Sequence, residues 1–414
     1  MDALAGNLAA LRVIAGAGVP VHPVVKADAY GHGVLPVARA LAATGADGFC
    51  VATFDEAVEL RDAGIELPIL VLYPIPASLA GAARAARLAV TAGDDELLRA
   101  LLGALEGEAG GVPLDVHVEV ETGLGRGGFQ VADIVDAGRA IGQAANARLA
   151  GLWTHLQAAE DADRTRGQLR RFEEAAGTLE RAGVGLPPRH LAASGGMLVD
   201  GVASYDGVRP GLATYGIVPE ELATGGGAAA GSAGGQPASG VTDLAARLRP
   251  VLSLHARPVR VAELPAGWGI SYGPTFTTAR PSRIATLPLG YGDGWPRSLS
   301  NRAEALVRGR RVPLVGNVAM DAVMADVTDV PGPPVTTADE LVLIGAQGTD
   351  RITAVDIAAA RDTNSWEVLT NLSARLPRVY HAASVPRETR TLAGHHRAAD
   401  VPADAASGRR SMGS

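Results

Sequence analysis

Short apolar runs alternate with longer amphipathic stretches over roughly residues 20 to 210 of this chain. Eight runs, many of them β-branched, predict strands at 21–26, 48–53, 68–72, 87–91, 114–120, 148–154, 188–192 and 204–208. Most stretches between them, such as Val34–Ala43, Asp55–Ala63 and Gly167–Ala182, repeat apolar residues about every 3.6 positions, which predicts helices. Strands that alternate with helices in this number predict an α/β fold class with an N-terminal (β/α)8 TIM-like barrel over residues 1–221.

The pattern changes after residue 221. Residues 222–242 consist mostly of small residues and predict a Gly/Ala-rich linker or insertion. Across 243–385, apolar runs separated by Gly, Pro and Asp predict a mainly β C-terminal domain, with helical spacing near 353–361 and 364–375. The polar stretch 386–414 predicts a disordered tail.

Charge and composition exclude several classes of protein. The net charge of −7 argues against a nucleic-acid partner, which usually requires a basic face. No apolar run approaches the roughly 20 residues that cross a membrane, and no secretory signal is visible near the start, so the expected location is the cytoplasm. Cys50, the one cysteine, lies in an apolar run and is expected to be a buried hydrophobe. His395 and His396 have no ligand partners at metal-site spacing, so no metal is expected.

One count points to chemistry. Of the 37 basic residues, Lys26 is the single lysine, and the others are arginines. An arginine guanidinium stays protonated and cannot attack an aldehyde, whereas a lysine amine with a lowered pKa can. Amine chemistry is therefore expected at Lys26.

Polar residues follow the carboxyl ends of the predicted strands, where (β/α)8 barrels carry their active sites. They are Lys26 after the first strand, Arg126 after the fifth, His155 after the sixth, Ser194 after the seventh, and Arg209, Gly211 and Leu212 after the eighth. The last two loops are the usual phosphate site of this fold, so the Ser194 hydroxyl with the Gly211 and Leu212 amides predicts a phosphate cradle. A lysine, a phosphate cradle and cationic groups at one mouth fit a phosphorylated aldehyde cofactor.

The segment Gly123–Gly128 also contains the spacing G-x-G-x-x-G after a strand, which is typical of dinucleotide-binding folds. That fingerprint requires an acidic residue at the end of the next strand, but this strand ends in Trp153-Thr154-His155. We therefore interpret the glycines as a tight loop that aims Arg126.

These residues belong to longer motifs. Val24–Gly33 closely resembles the cofactor-lysine signature of alanine racemases, and the resemblance continues at Thr122–Arg126, Thr154–His155, Ser194 and Val208–Leu212. In the second domain it includes Ser271–Gly273, Gly290–Trp295 and Met320–Asp321, so Tyr291 and Asp321 are expected to support the site. The resemblance covers roughly residues 2–380 and implies a barrel that binds pyridoxal 5'-phosphate (PLP), a β domain, and a homodimer with composite active sites.

The resemblance implies roles for the matched residues. Lys26 resembles the lysine that holds PLP and takes the α-proton of D-alanine, while Tyr272, supplied by the other subunit, resembles the base for L-alanine. Such a pair suits racemisation, which needs one base on each face of the substrate carbon. The implied phosphate ligands are Tyr30, Ser194, Gly211 and Leu212. The implied contacts of the substrate carboxylate are Arg126 and the Met320 backbone of the other subunit. His155 resembles the imidazole beside the cofactor ring. D-alanine for peptidoglycan is the implied product.

Arg209 resembles the partner of the pyridine nitrogen of PLP. Because its pKa exceeds about 12, Arg209 is expected to leave that nitrogen neutral, which favours racemisation over transamination and decarboxylation. His190, near the end of the seventh strand, either orients Arg209 or is a plain core histidine.

The chain departs from the family pattern at three positions. Glu119 stands where the family often has a lysine that becomes carbamylated, and it is expected to pair with Arg126 directly. Trp366 aligns with a tyrosine that narrows the entrance, and Ala319 stands where cysteine is common. A bulkier group at 366 keeps open a racemase for another small amino acid, such as serine.

Three further functions stay open from the residues. A PLP-dependent decarboxylase has a similar architecture but places an acid at the pyridine nitrogen. A non-catalytic PLP-binding protein would lack the second domain and its Ser-Tyr-Gly motif. A nicotinamide-dependent oxidoreductase rests on the glycine loop alone.

Overall fold

The computed structural model describes residues 1–107, 110–223 and 247–397. The chain divides into two compact units, Met1–Tyr30 with Val34–Pro250, and Gly31–Gly33 with the residues from Val251 onward. The predicted linker 222–242 lies outside the described residues from 224 onward, so the domain boundaries predicted around it stay a prediction.

The first unit contains a parallel sheet in the order β1-β2-β3-β4-β5-β6. Its strands are Phe49–Val51, Ile69–Val71, Ala89–Ala92, Leu114–Glu119, Ala147–Trp153 and Arg189–His190. The intervening helices include Val34–Ala43, Phe54–Asp62, Ala80–Ala85, Asp95–Ala104, Ile134–Gln143, Ala162–Arg181 and Ser194–Leu198, with Asp2–Ala15 before the first strand and Glu220–Ala223 near the end of the unit. The residues of β1 and β2 are all apolar and buried, which is the pattern expected of a parallel sheet covered on both faces.

Two of the predicted strands, 21–26 and 204–208, are present as bridging segments rather than ladder strands. Parallel bridges join Val21 to Val208 and Val24 to Cys50, and the His22 amide donates to the Val208 carbonyl over 2.9 Å. Pro20, Pro23 and Pro210 lack the N–H groups that a continuous ladder needs, which explains the single bridges. The segments still connect both edges of the sheet, and the TIM-like fold class predicted from the pattern is confirmed.

The second unit is mainly β, as predicted. A sheet in the order β14-β13-β10-β11-β12-β9-β8, with β7 paired to β13, forms its centre. The strands are Leu254–Ala256, Arg260–Leu264, Ser282–Leu287, Glu304–Val307, Arg310–Val315, Val323–Asp326, Leu341–Gln347 and Asp350–Ile352, numbered β7 to β14, followed by helices Ala354–Arg361 and Ser365–Thr370.

The tail prediction is wrong for residues 386–397. Strands Arg378–Ala382, Val385–Thr391 and Gly394–Arg397 (β15 to β17) form a three-stranded antiparallel sheet. The segment Val385–Thr391 is mostly polar and none of its residues is buried, so it lacks the apolar run from which strands were predicted. Residues 398–414 lie outside the described part of the chain.

The short segment Gly31–Gly33 joins the second unit through two side chains of β15. Arg378 Nε donates to the Gly31 carbonyl over 2.8 Å, and the Tyr380 hydroxyl donates to the His32 carbonyl over 3.0 Å. The segment directly after Lys26–Tyr30 is therefore held by the C-terminal unit, which the sequence pattern did not predict.

Candidate active site

Lys26 begins a left-handed turn. Ala27, Asp28, Ala29 and Tyr30 all have φ between 52° and 56°, a conformation that costs about 1 kcal/mol or more for each non-glycine residue. Hydrogen bonds oppose this cost: the Ala27 amide donates to Glu56 Oε1 over 2.7 Å, and the Val34 amide donates to Asp28 Oδ1 over 2.8 Å. The turn is thus a built feature that fixes the backbone on either side of Lys26 and Tyr30.

The Lys26 amine has a lowered pKa. Burial is the main cause, and the positive charge of Arg126 adds to it, while Glu56 and Cys50 oppose the shift. A lowered pKa increases the fraction of neutral amine, which is the form that attacks an aldehyde or accepts a proton.

Three cationic side chains surround His155. Burial, then Arg209, Arg126 and Lys26, lower the pKa of His155 to about 3, so its imidazole is neutral at physiological pH. The structure therefore brings together Lys26, Arg126, His155 and Arg209, which the sequence had placed after four different strands. A neutral imidazole among three positive charges suits an anionic ligand.

Arg126 is held by Glu119. Its guanidinium lies 3.0 Å from Glu119 Oε1 and 5.4 Å from the centre of the Tyr73 ring. The Glu119 side chain is only 7% exposed, and burial raises its pKa, an effect that Arg126 opposes. The direct pairing expected at this position is present.

The glycine loop before Arg126 already contains an anion of the protein itself. The Glu121 carboxylate accepts hydrogen bonds from the amides of Gly123 and Gly125, the second over 2.8 Å. Amides engaged in this way do not cradle a dinucleotide phosphate, so the loop serves to turn the chain.

Arg209 is buried and lies over the ring of Trp153, with its guanidinium carbon 4.7 Å from the ring centre. Its nitrogens contact His190 Nδ1 and donate to the Thr154 carbonyl over 3.0 Å. Burial lowers the pKa of Arg209 to about 10, which leaves it protonated at neutral pH. His190 therefore contacts Arg209 directly, and its role in orienting Arg209 stays a prediction.

Ser194, Gly211 and Tyr30 form a polar recess. Ser194 Oγ accepts hydrogen bonds from the Gly211 amide over 2.9 Å and the Ala213 amide over 3.1 Å, so its own O–H has to donate elsewhere. A Cβ at residue 211 would lie 2.6 Å from the Tyr30 hydroxyl and 4.0 Å from Ser194 Oγ. Glycine is therefore required here for the Tyr30 hydroxyl to approach the backbone of residue 211, and Leu212 begins the short helix that follows.

In the second unit, Tyr272 and Met320 are exposed, with 78% and 53% of their surface accessible. Asn317 connects the loops that bear them: its side-chain amide donates to the carbonyls of Tyr272 and Gly273 over 2.9 and 3.0 Å. The Ser271 hydroxyl donates in return to the Asn317 carbonyl over 2.6 Å.

The loop that contains Met320 is also fixed from its other side. The amides of Tyr291 and Gly292 donate to the carbonyls of Ala319 and Met320 over 3.0 and 2.9 Å, and Arg375 pairs with Asp321 over 2.6 Å. Tyr291 and Asp321 are thus close to Met320, as expected of supporting residues. Trp366 lies in the helix Ser365–Thr370 and is partly buried.

Several residues near the site escaped the sequence analysis. Glu56 forms a capping box with Thr53 and also holds the Lys26 turn; the spacing Thr53-x-x-Glu56 predicts the cap but not the second contact. Gln168 donates to Thr122 Oγ1 over 2.9 Å and to the His155 carbonyl over 3.0 Å. His117 contacts His190, and nothing in the strand pattern distinguishes it from a surface residue.

Comparison with known proteins decides the family. Residues 1–219 match the model of the alanine racemase N-terminal domain, and residues 251–380 match that of the C-terminal domain. The chain belongs to the alanine racemase family. It is accordingly an amino-acid racemase, an isomerase, as the sequence motifs had indicated.

Individual relatives agree. The alanine racemase of Symbiobacterium thermophilum is 42% identical over 92% of this chain and 95% of its own, and that of Halothermothrix orenii is 38% identical over 92% and 95%. Among solved structures, alanine racemase from Bacillus anthracis with bound L-Ala-P superposes with a TM-score of 0.82 at 31% identity, covering 94% of this chain and 95% of that one. Alanine racemase from Streptomyces coelicolor gives 0.78 at 35%, covering 92% and 96%.

Two kinds of feature were sought in the described ranges, membrane-spanning helices and metal sites. Within these ranges no helix is long and apolar enough to cross a membrane, and no group of three or more His, Cys, Asp or Glu is placed to hold a metal ion. His395 pairs instead with Glu388 over 2.9 Å.

Proposed function

We propose that this chain interconverts L-alanine and D-alanine with PLP held at Lys26. The observation that carries the proposal is the cluster around neutral His155, where the single lysine of the chain meets Arg126 and Arg209. Three cations at the mouth of one barrel match an anionic cofactor and an anionic substrate together.

The residues present fit PLP. The Tyr30 and Ser194 hydroxyls, which both lie beside Gly211, would hold the phosphate with the Gly211 and Leu212 backbone. Arg209 would face the pyridine nitrogen, and His155 would lie beside the ring. When bound, PLP withdraws electrons from the substrate and so acidifies its α-proton.

The chain's own residues would then bind and deprotonate the substrate. Arg126, steadied by Glu119, would take the substrate carboxylate together with the backbone of Met320. Lys26, whose pKa is lowered mainly by burial, would exchange the α-proton on the face of D-alanine, and Tyr272 would do so on the face of L-alanine. Because Arg209 remains protonated, it would leave the pyridine nitrogen neutral, which disfavours the decarboxylase alternative.

We infer that the site is composite. Tyr272 and Met320 are exposed on the second unit, as residues that reach into another subunit must be before assembly. A homodimer related by a two-fold axis would form two equal sites from such an exchange. We further propose a cytoplasmic enzyme whose D-alanine supplies peptidoglycan, as the family resemblance implies.

A direct test measures both enantiomers by chiral chromatography after PLP-loaded protein is incubated separately with L-alanine and L-serine. We expect D-alanine to form readily, with L-serine a poorer substrate. Faster turnover of serine would favour the second candidate, a serine racemase. The reason to consider it is the bulk of Trp366, which stands where the family has a tyrosine that narrows the entrance.

Lys26→Arg is the matched variant, since it retains the charge but cannot bond an aldehyde. It should racemise neither substrate. In the unaltered protein, borohydride reduction should fix the cofactor mass to the peptide that contains Lys26. An unmodified Lys26 peptide in active protein would contradict the proposal.

A further inference from the structure

Two histidines, the buried His190 and the half-buried His117, extend the contacts of Arg209 across the sheet. Arg209 contacts His190 Nδ1, and His190 Nε2 lies 2.8 Å from His117 Nδ1. All three side chains belong to the first unit, on β4, β6 and the bridging segment after it. They form a continuous series of polar contacts across a sheet whose buried residues are mostly apolar.

The direction of these hydrogen bonds follows from the chemistry of arginine. A guanidinium only donates, so His190 Nδ1 has to accept from Arg209. Neutral His190 then has its proton on Nε2 and donates it to His117 Nδ1. His117 in turn has its own proton on Nε2, because a proton on Nδ1 would place two donors 2.8 Å apart.

We propose that His117 is a positioning residue that accepts the Nε2 proton of His190, fixes the orientation of that ring, and so holds Arg209 against the pyridine nitrogen of the cofactor. The inference rests on the proposed function for its effect on catalysis. The arrangement of protons itself depends only on side chains of this chain.

Packing around the series Arg209–His190–His117 supports a specific role for His117. A Cβ at Gly151, on the neighbouring strand β5, would lie 2.1 Å from His117 Nδ1, so β5 leaves space for this ring only by having glycine there. On the other side, Trp153 stacks parallel to His190, with an interplanar angle of 6°, and also lies beneath Arg209. Burial, together with neighbouring charges, lowers the pKa of both histidines, that of His117 to about 4. Both rings are therefore neutral, as this series of hydrogen bonds requires.

The first experiment reads the protons directly. Nitrogen-15 chemical shifts of the histidine rings, measured on cofactor-free protein labelled at histidine, should show His190 and His117 neutral with the proton on Nε2. In His117→Leu the His190 signals should broaden or report mixed tautomers, because the Nε2 proton has lost its acceptor. A His190 proton on Nδ1 in the unaltered protein would overturn the inference.

The second experiment reads the consequence in PLP-loaded enzyme. The ratio of transamination to racemisation, measured as pyruvate formed per alanine inverted, should rise roughly tenfold in His117→Leu, the loss expected for one hydrogen bond in a network to a charged group. His117→Asn should restore the ratio, since the Asn Oδ1 can occupy the place of Nδ1 as acceptor.

The variants separate positioning from packing. If His117 were merely structural, His117→Leu would have a lower melting temperature but an unchanged ratio of transamination to racemisation, and that result would contradict the proposal. An equal rise of this ratio in His117→Leu and His117→Asn would contradict it too. If the unaltered protein racemises nothing, the proposed function fails, and the ring-nitrogen shifts still decide the proton arrangement.

Discussion

At the scale of single residues, the pair of Glu119 and Arg126 is the proposed determinant of how firmly the substrate carboxylate is bound. Glu119 is almost completely buried, whereas the Arg126 side chain is 32% exposed. Solvent therefore screens this pair more than a fully buried one. We expect the pair to contribute about 1 kcal/mol of interaction free energy, which is more than the median exposed salt bridge and less than a buried charge-assisted hydrogen bond.

Glu119→Gln should raise KM for alanine by roughly five- to tenfold with a smaller change in kcat, because Arg126 loses its charged partner but remains in place. Steady-state kinetics in both directions measure this. Asp115→Asn on the same strand removes an exposed partner, that of Arg148, and should leave KM unchanged. An equal rise in both variants would mean that strand β4 is generally disturbed.

The same pair predicts a pH dependence. Burial raises the pKa of Glu119, so this carboxyl takes up a proton at a higher pH than an ordinary glutamate, whose pKa is about 4.3. As the pH falls, protonation weakens its hold on Arg126, and KM should rise. Profiles of KM against pH should lose this acidic limb in Glu119→Gln, and persistence of the limb would assign it to another group.

At the scale of elements, the left-handed turn after Lys26 is the feature least visible in the sequence. Ala27 is exposed and has φ 52°, so a glycine there should relieve backbone strain. Ala27→Gly is expected to raise the free energy of unfolding by about 0.5 kcal/mol. This is the difference between the relieved cost of the left-handed conformation and the conformational entropy that glycine adds to the unfolded chain. Urea unfolding followed by tryptophan fluorescence measures it.

The matched control is the same substitution in a right-handed helix. Ala100 is exposed in the helix Asp95–Ala104, and Ala100→Gly should lower the free energy of unfolding by about 0.5–1 kcal/mol. Opposite signs for the two variants are required; destabilisation by both would show that the turn imposes no strain at Ala27.

The loop that presents Tyr272 depends on Asn317. Asn317→Asp retains the shape of the side chain but replaces the N–H donors, which face two carbonyls, by an acceptor. Racemisation should fall roughly tenfold, since two hydrogen bonds are lost. Solvent deuterium should still enter D-alanine, because Lys26 does not depend on this loop.

Thr275→Val is the control, since the Thr275 hydroxyl reaches Asn317 only at Oδ1, over 3.3 Å, and otherwise accepts from Asn301 over 2.9 Å. It should retain racemisation within about twofold. If deuterium uptake into D-alanine falls together with racemisation in Asn317→Asp, the variant has damaged the whole site rather than the base.

Strong periodicity made most elements predictable. The helix Val34–Ala43 has the bounds expected from its apolar spacing, and β4 was expected from its buried alternate residues. The prolines at 20 and 23 reduced a predicted strand to bridges, and the polar composition of β16 concealed a real strand. Nothing local signals that four non-glycine residues after Lys26 are left-handed, because hydrogen bonds formed only in the fold stabilise them: the Ala27 amide donates to Glu56, and the Val34 amide donates to Asp28.

Site residues divide in the same way. Those proposed to touch a ligand, such as Lys26, Arg126 and Arg209, stand in motifs and at strand ends, so sequence could place them near one another. Residues that act through others, such as His117 and Gln168, lie within strands or helices, where their partners are set by tertiary packing alone.

At the scale of the whole molecule, the proposed exchange of Tyr272 between subunits makes the two catalytic bases separable. A chain with Lys26→Ala and a chain with Tyr272→Phe should each be inactive as homodimers, since every site lacks one base. Mixing them should form heterodimers in which one site has Lys26 from one chain and Tyr272 from the other, while the second site lacks both.

Activity after subunit exchange should therefore reach up to roughly a quarter of that of the unaltered enzyme, because about half of the dimers are mixed and half of their sites are whole. Two affinity tags, one on each chain, allow heterodimers to be purified and exchange to be verified before the assay. Recovery that scales with the heterodimer fraction requires the two bases to come from different chains. Verified heterodimers without activity would mean that Lys26 and Tyr272 act within one chain, and the exposure of Tyr272 would then need another explanation.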